Sequence, residues 1–473
     1  MVDAATPFAF LMLALWPAVA WVLWRRLDPA RALIWTLLGA YMLLPPLVSF
    51  DLPVMPDLDK VAIPNIMAAL LAVFLLRDRI SFLPVAPVGK VMMAIFVLSP
   101  IATVLTNSDP VRLFQIDIPG TRIYDSVASI GNQFILLLPF FLGRRYLATP
   151  EAMRAILVAL VAGGLVYSVP MIVESRLSPQ LNIWVYGFFQ HDFAQAIRSG
   201  GFRPFVFMPH GLWVAFFAVM CAMSAAALFR IGPAERRPMQ LLIWLYLCVM
   251  VVICKSLGPL IYALTLMPLI VLLPRRWQVL VAAGLALIVM TYPLLRGAHL
   301  VPLDAILRFA ESISQERAAS LAFRITNEET LLARAQERLW FGWGGYGRNL
   351  IRDYFSGRIL TIPDGGWIIA MGTYGWFGYL AEFGLLVLPL LLLGREVLRM
   401  PEASVSPYTA CVALIYAANL VDLLPNDTLI PLTWMMAGAL MGHAEALQAV
   451  RKARAGEVWA RGLRDGGRRR TVI

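Results

Sequence analysis

The run GLWVAFFAVMCAMSAAALF, residues 211–229, contains no charged side chain, and the arginine-rich segment RIGPAERR, residues 230–237, follows it directly. A helix needs roughly 20 mostly apolar residues to cross the hydrocarbon core of a bilayer. Residues 211–229 therefore predict a membrane-spanning helix. The arginines after it predict a loop on the cytoplasmic side, where basic residues are enriched.

The whole chain repeats this arrangement. Its 473 residues are 60% hydrophobic and 15% charged, whereas soluble domains are roughly 25% charged. The composition predicts an all-α polytopic membrane protein with about 12–13 transmembrane helices, and it explains the net charge of +11 without nucleic acid. Candidate spans lie near residues 7–24, 31–50, 61–76, 88–106, 128–143, 152–173, 209–229, 239–254, 257–273, 279–295, 370–393, 407–424 and 428–447.

The charges of the loops predict the orientation. Basic segments such as 25–31, 143–145 and 274–277 fall after alternate spans, and short acidic segments at 51–60 and 422–427 fall between them. The amino terminus is expected outside and the carboxyl terminus inside. The predicted organisation is N-terminal spans (1–173), a first long external segment (174–208), central spans (209–295), a large external helical loop (296–366), C-terminal spans (367–447) and a basic cytoplasmic tail (448–473).

The large external loop is rich in arginine. It contains nine arginines, eight acidic residues and no lysine, although the whole chain has only four lysines. Two explanations stay open, a general bias against lysine and anion binding, because guanidinium groups match the geometry of phosphate. The loop also has helical periodicity, with Thr326 or Asn327 expected to cap its second helix.

The loop continues into RLWFGWGGYGRN, residues 338–349, with four glycines and four aromatic residues. Glycine lets a backbone approach a ligand closely. The stretch is therefore expected to form a flexible wall of an anion site. Trp340, Trp343 and Tyr346 are expected to act either as interfacial anchors or as a sugar-stacking platform.

The four cysteines lie in apolar runs without metal-ligand spacing, so no metal site is expected and no cofactor is implied.

Five separate segments place polar groups at the external boundary of the predicted membrane. Structural roles remain open for several groups: ion pairs of Arg203 or Arg324 with acids such as Glu174, Glu328 or Glu329, a helix cap at Asp364, and a helix-end hydrogen bond at His210. The candidate site residues are Arg198, Arg203, His210, Lys255, Arg317, Arg324, Gly344, Tyr346 and Asp364.

These segments together resemble the O-antigen ligase and polymerase superfamily, multi-span enzymes with a GT-C-like architecture. An arginine before a Pro-Asn pair is matched by Arg203 and the triplet 209–211, and a Ser-Arg-Gly turn is loosely matched by KSLG at 255–258. An Arg-x-x-Ser-x-x-x-Arg helix is matched by Arg317, Ser320 and Arg324, with the Gly-x-Gly turn in FGWGGYG. The resemblance covers residues 146–447.

The later part of the family pattern departs at one position. A His-Asn pair of the family is replaced by Asp364 and Gly365, and Gly375 and Gly378 follow at the expected places. In the ligases the histidine activates the acceptor hydroxyl. The resemblance therefore implies that Asp364 takes this role, and the exchange leans toward a polymerase.

The implied function is transfer of a polyprenyl-diphosphate-linked oligosaccharide to a glycan acceptor, on the periplasmic face of a bacterial inner membrane. The resemblance implies a metal-independent, inverting glycosyltransferase that polymerises O-antigen, capsule or exopolysaccharide repeats. Arg203 and Arg324 would bind the diphosphate, supported by Arg198, Arg317 and Lys255. Membrane lipid and a chain-length regulator are the expected partners. The alternatives are a ligase that uses lipid A core as acceptor in lipopolysaccharide assembly, and a transporter or flippase for lipid-linked sugars.

Overall fold

A computed structural model describes residues 5–51, 56–198 and 200–467, without the side chains of residues 313, 316, 317 and 455–467. The described chain is mostly helical, with two short two-stranded sheets, β1 (Val111–Arg112) with β2 (Asp117–Ile118) and β3 (Ile197–Arg198) with β4 (Gly201–Phe202). Both pairs are antiparallel. The helices are α1 (Pro7–Arg26), α2 (Pro29–Leu43), α3 (Ala62–Leu70), α4 (Pro87–Leu105), α5 (Ile123–Tyr146), α6 (Pro150–Leu177), α7 (Leu181–Tyr186), α8 (Gly211–Ile231), α9 (Arg237–Ile253), α10 (Leu257–Leu272), α11 (Arg275–Gly297), α12 (Leu303–Ile313), α13 (Gln315–Glu337), α14 (Gly366–Arg399), α15 (Pro407–Asp422) and α16 (Pro431–Gly467).

Eight of the described helices are long and apolar enough to cross a membrane: α1, α4, α5, α6, α8, α9 with its preceding turn, α11 and α14. The other five predicted spans fall on α2, α3, α10, α15 and α16, which are shorter or less apolar than a standard span. The all-α, multi-pass membrane architecture is therefore confirmed. The larger count of 12–13 spans stays a prediction.

Three of the described helices begin where the sequence supplies a capping residue and a proline together. Pro29, Pro150 and Pro407 lie in the first turns of α2, α6 and α15. The residue before each proline, an Asp, Thr or Ser, accepts a hydrogen bond from a backbone N–H of that first turn. Proline costs nothing there, because the first helical N–H groups have no partner within the helix.

The centre of the bundle is formed by α8 and α15. Nearly every residue of α15 between Thr409 and Leu420 is buried, and most of α8 is buried as well. Small side chains, mainly alanine, let the neighbouring helices approach closely, as is usual in membrane bundles. The four cysteines are unpaired, and three of them are buried in this interior, in agreement with a small apolar role.

Helices α5 and α16 make an especially close contact through glycine. A side chain at Gly143 or at Gly438 would collide with a backbone carbonyl of the opposite helix. Beyond this contact Arg144 forms a salt bridge of 2.7 Å with Glu445. The close approach fixes the last described helix against the middle of the chain.

Helix α14 is broken at Gly375, where the backbone has φ 65° and ψ −163°. The glycine-rich stretch runs into this break. The amides of Trp343 and Gly344 donate to the free carbonyls of Gly372 and Thr373, at 2.8 and 2.9 Å. On the other side of the break, the amides of residues 376 and 377 donate to the carbonyls of residues 339 and 340, at 2.9 and 3.2 Å. Within a span these groups have no water to bond, so the stretch replaces the missing helical hydrogen bonds.

The same stretch is fastened to the loop that follows α4. Arg348 is fully buried, and its guanidinium donates to the carbonyls of Trp343, Pro119 and Asp109. Thr103 and Asn107 donate to the carbonyls of residues 341 and 342. The arginines and glycines of the stretch thus have a structural role, since they connect it to this loop.

The predicted capping of a second loop helix is wrong. Helix α13 runs without interruption from Gln315 to Glu337, so Thr326 and Asn327 lie in its middle. Their side chains donate to carbonyls one turn earlier, those of Ala322 and Phe323. Asn327 also accepts a hydrogen bond from the amide of Ile362, which ties α13 to the segment that leads into α14.

Candidate functional site

The turn at residues 205–208 carries Arg203 on one side and His210 on the other, and buried side chains hold it. The carboxylate of Glu174 accepts from the amides of Phe205 and Val206, at 2.8 and 2.7 Å. Val206 has φ +50°, a strained conformation for a β-branched residue. Three other side chains bond the remaining polar backbone atoms of the turn: Tyr167, Gln190 and Lys60.

Arg203 is 4% exposed, and its Nη2 donates to Ser256 Oγ at 3.0 Å. Its Nε is buried and has no hydrogen-bond partner among the described residues. A side chain at Gly211 would come within 2.5 Å of this nitrogen, so only glycine leaves room for the guanidinium. Burial, Arg198 and Arg324 together lower the pKa of Arg203 to about 10. The arginine still carries its charge at neutral pH.

The expected ion pairs of the two arginines with glutamates do not form. Glu174 is occupied by backbone amides, including that of Leu181. Glu328 and Glu329 pair instead with Arg296, at 3.3 and 3.0 Å. In the part of the chain that the structure describes, Arg203 has no carboxylate partner.

His210 caps helix α8. Its Nδ1 accepts from the amide of Leu212 at 3.0 Å, so Nε2 carries the proton and donates to Gln195 Oε1 at 3.2 Å. Burial lowers the pKa of His210 to about 3, with a further lowering by Arg203, His191 and neighbouring cations. His210 is thus a neutral helix-end hydrogen bonder, as one of the two sequence interpretations held.

The depressed pKa of His210 gives a pH dependence of stability. As the pH falls from about 6.5 toward about 3, the unfolded chain takes up a proton at His210 that the folded chain excludes, so folding becomes less favourable. We expect the thermal stability in detergent to fall with pH in this window, and to fall less in His210→Asn, which keeps a capping oxygen but does not titrate. Identical pH profiles for the two proteins would contradict this assignment.

Lys255 lies in a tight turn with φ +49°. Its Nζ donates to the carbonyl of Arg198 at 3.2 Å. A side chain at Gly201 would overlap this ammonium group. The lysine therefore rests on the β3–β4 hairpin and connects it to the turn that also supplies Ser256.

Arg324, on α13, forms a salt bridge of 3.5 Å with Asp364, and each side chain is about one-third exposed, at 33% and 32%. Its Nη1 also donates to the carbonyl of Pro425 at 3.1 Å and to Asn426 Oδ1 at 3.0 Å. Burial raises the pKa of Asp364, and the charge of Arg324 lowers it. Asp364 is not the cap of α14, since Gly365 occupies the N-cap position.

A cavity opens beside this ion pair, and the space not filled by atoms, including the part open to solvent, is about 720 Å³. Its walls come from the end of α11, from α12, from α13 and from the start of α14. Most of the lining is apolar, for example Ile306, Leu321 and Ile362, and the charged lining side chains are Arg324, Asp364 and Glu328. The cavity can therefore accept an amphiphile with a charged end.

Six predicted residues lie within range of one another's charges or contacts: Arg198, Arg203, His210, Lys255, Arg324 and Asp364. Of these six, Arg324 and Asp364 line the cavity. Gly344 and Tyr346 belong to a different place. Gly344 bonds the break in α14, and Tyr346 donates to Asp125 at 2.7 Å. Neither lines the cavity of Arg324. Arg317 lies on α13, but its side chain is outside the described residues.

Two groups next to Arg324 were not among the predicted site residues. Asn426 binds the guanidinium, and Asp422 accepts from Asn426 Nδ2 at 2.9 Å and from Thr428 Oγ1 at 2.7 Å. Asp422 is 2% exposed. The sequence signal was the polar segment DLLPND, residues 422–427, between two apolar runs, which was used above only to predict orientation.

No protein-family model matches this chain, and a search of curated proteins finds no significant match.

Proposed function

We propose that the chain is a GT-C-like glycosyltransferase that polymerises polyprenyl-diphosphate-linked oligosaccharide repeats of a surface polysaccharide. The proposal places it in a bacterial inner membrane with its site facing the periplasm. The observation that carries it is Arg203, a buried guanidinium without a carboxylate partner among the described residues, in the electrostatic range of Arg198 and Arg324. Such a cluster favours a multiply charged anion.

The proposed reaction uses the two sides of the site differently. An acceptor hydroxyl oxygen attacks the anomeric carbon of the donor sugar from the side opposite the diphosphate, and Asp364 takes the hydroxyl proton. The bond between the anomeric carbon and the diphosphate oxygen breaks, and the oxygen leaves with both electrons. Arg203 and Arg324 stabilise the negative charge that develops there. The product has inverted configuration, and the apolar part of the cavity would hold the start of the polyprenyl chain.

The proposal of a metal-independent reaction depends on the arginines. The chain contains one Asp-x-Asp triplet, residues 57–59, and the Asp59 carboxylate in it accepts hydrogen bonds from the amides of Val61 and Ala62 at the start of α3. Guanidinium groups can neutralise a diphosphate without a metal ion. Membrane lipid and a chain-length regulator remain the proposed partners beside the donor and the acceptor.

The test is the Asp364→Asn variant of the purified protein, supplied with a polyprenyl-diphosphate-linked oligosaccharide. We expect wild type to produce long chains on a gel, and the variant to elongate at least about 100-fold more slowly, because a general base contributes roughly 10²–10⁴-fold. The matched control is Asp353→Asn, since among the described residues the Asp353 carboxylate accepts hydrogen bonds from its own turn, chiefly from Ser356. Full elongation by Asp364→Asn would rule out its role as the base.

The same assay separates the alternatives. A protein that moves one preformed chain onto lipid A core, without elongating it, is a ligase. A protein that moves the lipid-linked sugar across a vesicle bilayer, without forming a glycosidic bond, is a transporter. The apolar runs are mostly uncharged and the two halves of the chain differ, with one large predicted external loop in the second half, which favours the enzyme.

A further inference from the structure

The side chain of Asp364 is held only weakly, through its ion pair with Arg324. The separation of 3.5 Å between Asp364 Oδ2 and Arg324 Nε exceeds the roughly 2.7–2.9 Å of a strong charge-assisted hydrogen bond. Among the described residues this is the one salt bridge or hydrogen bond of the Asp364 side chain. Both partners are partly exposed to the cavity. A competing anion can therefore reach the guanidinium.

Arg324 is held firmly by neutral groups. Its Nη1 donates to the Pro425 carbonyl and to Asn426 Oδ1. Asn426 is oriented in turn by Asp422, whose two carboxylate oxygens accept from Asn426 and Thr428. These contacts do not depend on Asp364. The guanidinium would keep its place if Asp364 moved away.

We propose that Asp364 is an exchangeable counter-ion of Arg324, which the diphosphate of the substrate displaces, while Asn426 and the Pro425 carbonyl hold the guanidinium in position. This inference rests on the proposed function and adds a coupling to it. The carboxylate that acts as base is released only when the leaving group has bound. Asn426 is a positioning residue in this arrangement.

The exchange also changes the chemistry of the carboxylate. Burial already raises the pKa of Asp364, and Arg324 lowers it. A diphosphate bound to Arg324 offsets the positive charge that lowers the pKa of Asp364. The carboxylate therefore becomes a stronger base once the donor is in place. Without donor, Asp364 stays paired and is a poorer base.

The experiment measures binding rather than turnover. Polyprenyl diphosphate without sugar is titrated into detergent-solubilised wild type, Asp364→Asn, Arg324→Gln and the double variant. We expect Asp364→Asn to bind about fivefold more tightly than wild type, since the ligand no longer displaces an exposed ion pair. In the Arg324→Gln background, the Asp364→Asn change should bring no gain, because there is no guanidinium for which to compete.

Three outcomes contradict the proposals, and they differ from one another. No binding by wild type would overturn the proposed function together with the exchange. Binding by wild type with equal affinity in Asp364→Asn would overturn the exchange alone. A gain that persists in the Arg324→Gln background would show simple charge repulsion between Asp364 and the ligand, which also overturns the exchange. Equal unfolding temperatures of the four proteins serve as the control for folding, and Asp353→Asn serves as the control for net charge.

Discussion

Replacing Gly375 with alanine is expected to abolish the folded protein. At φ 65° and ψ −163° the backbone lies in a region that is essentially open to glycine alone. A Cβ at this position would overlap the carbonyl group of Trp340, which cannot move aside because residues 339 and 340 are bonded across the break. The break and the glycine-rich stretch would have to separate.

Separation would leave four backbone hydrogen bonds unmade inside a candidate span. Each unsatisfied polar group costs several kcal/mol in hydrocarbon, which together exceeds the roughly 5–15 kcal/mol that stabilises a typical folded protein. The measurement is the yield of monodisperse protein after size-exclusion chromatography in detergent. Gly284→Ala, in the candidate span α11, is the matched control, since an added Cβ there meets no atom within 4 Å. Normal yield and stability of Gly375→Ala would contradict the role of the break.

The second large effect is expected at Arg203, where stability and activity should move in opposite directions. The guanidinium is buried with one hydroxyl partner, and its neighbours Arg198 and Arg324 repel it. An unpaired buried charge costs stability. We therefore expect Arg203→Met to keep or raise the unfolding temperature while it lowers transfer by at least about 100-fold, as loss of a group that stabilises transition-state charge does.

Arg348→Met is the control for this experiment. Arg348 is equally buried, yet its guanidinium bonds three carbonyls and joins the glycine-rich stretch to the loop after α4. We expect this variant to lose stability, because three carbonyls would lose a donor, among them the buried carbonyl of Trp343. If Arg203→Met lost stability to the same degree, Arg203 would be a structural residue like Arg348.

The apolar runs were sufficient to locate the long helices, whereas the predicted cap at Thr326 or Asn327 was wrong. All thirteen predicted spans fall on helices, because burial of apolar side chains and satisfaction of backbone groups act on local sequence. Hydropathy could not predict the break at Gly375. That break depends on backbone contacts with residues 339–344, which are distant in sequence, and several glycines in the same helix make none.

The glycine-rich stretch shows the limit of composition for function. Glycine and arginine together suggested an anion site, but Gly344 bonds a broken helix and Arg348 bonds carbonyls. Glycine and arginine can serve either to bind an anion or to bond the backbone of the fold, and only their partners in the structure distinguish the two roles. The pairing of Arg324 with Asp364, by contrast, joins two residues that the sequence had already selected.

The break in α14, which hydrogen bonds from the glycine-rich stretch bridge, has a consequence for biogenesis. The ribosome synthesises residues 339–344 before residues 372–377. The backbone amides and carbonyls of the earlier stretch therefore lack these hydrogen-bond partners until the later helix enters the bilayer. The carbonyls of Gly372 and Thr373, before the break in α14, accept hydrogen bonds from the earlier stretch, so without that stretch they would lose these donors. Insertion of this helix is therefore coupled to tertiary assembly. A chain arrested before Gly375 would present unpaired backbone to the quality-control machinery of the membrane.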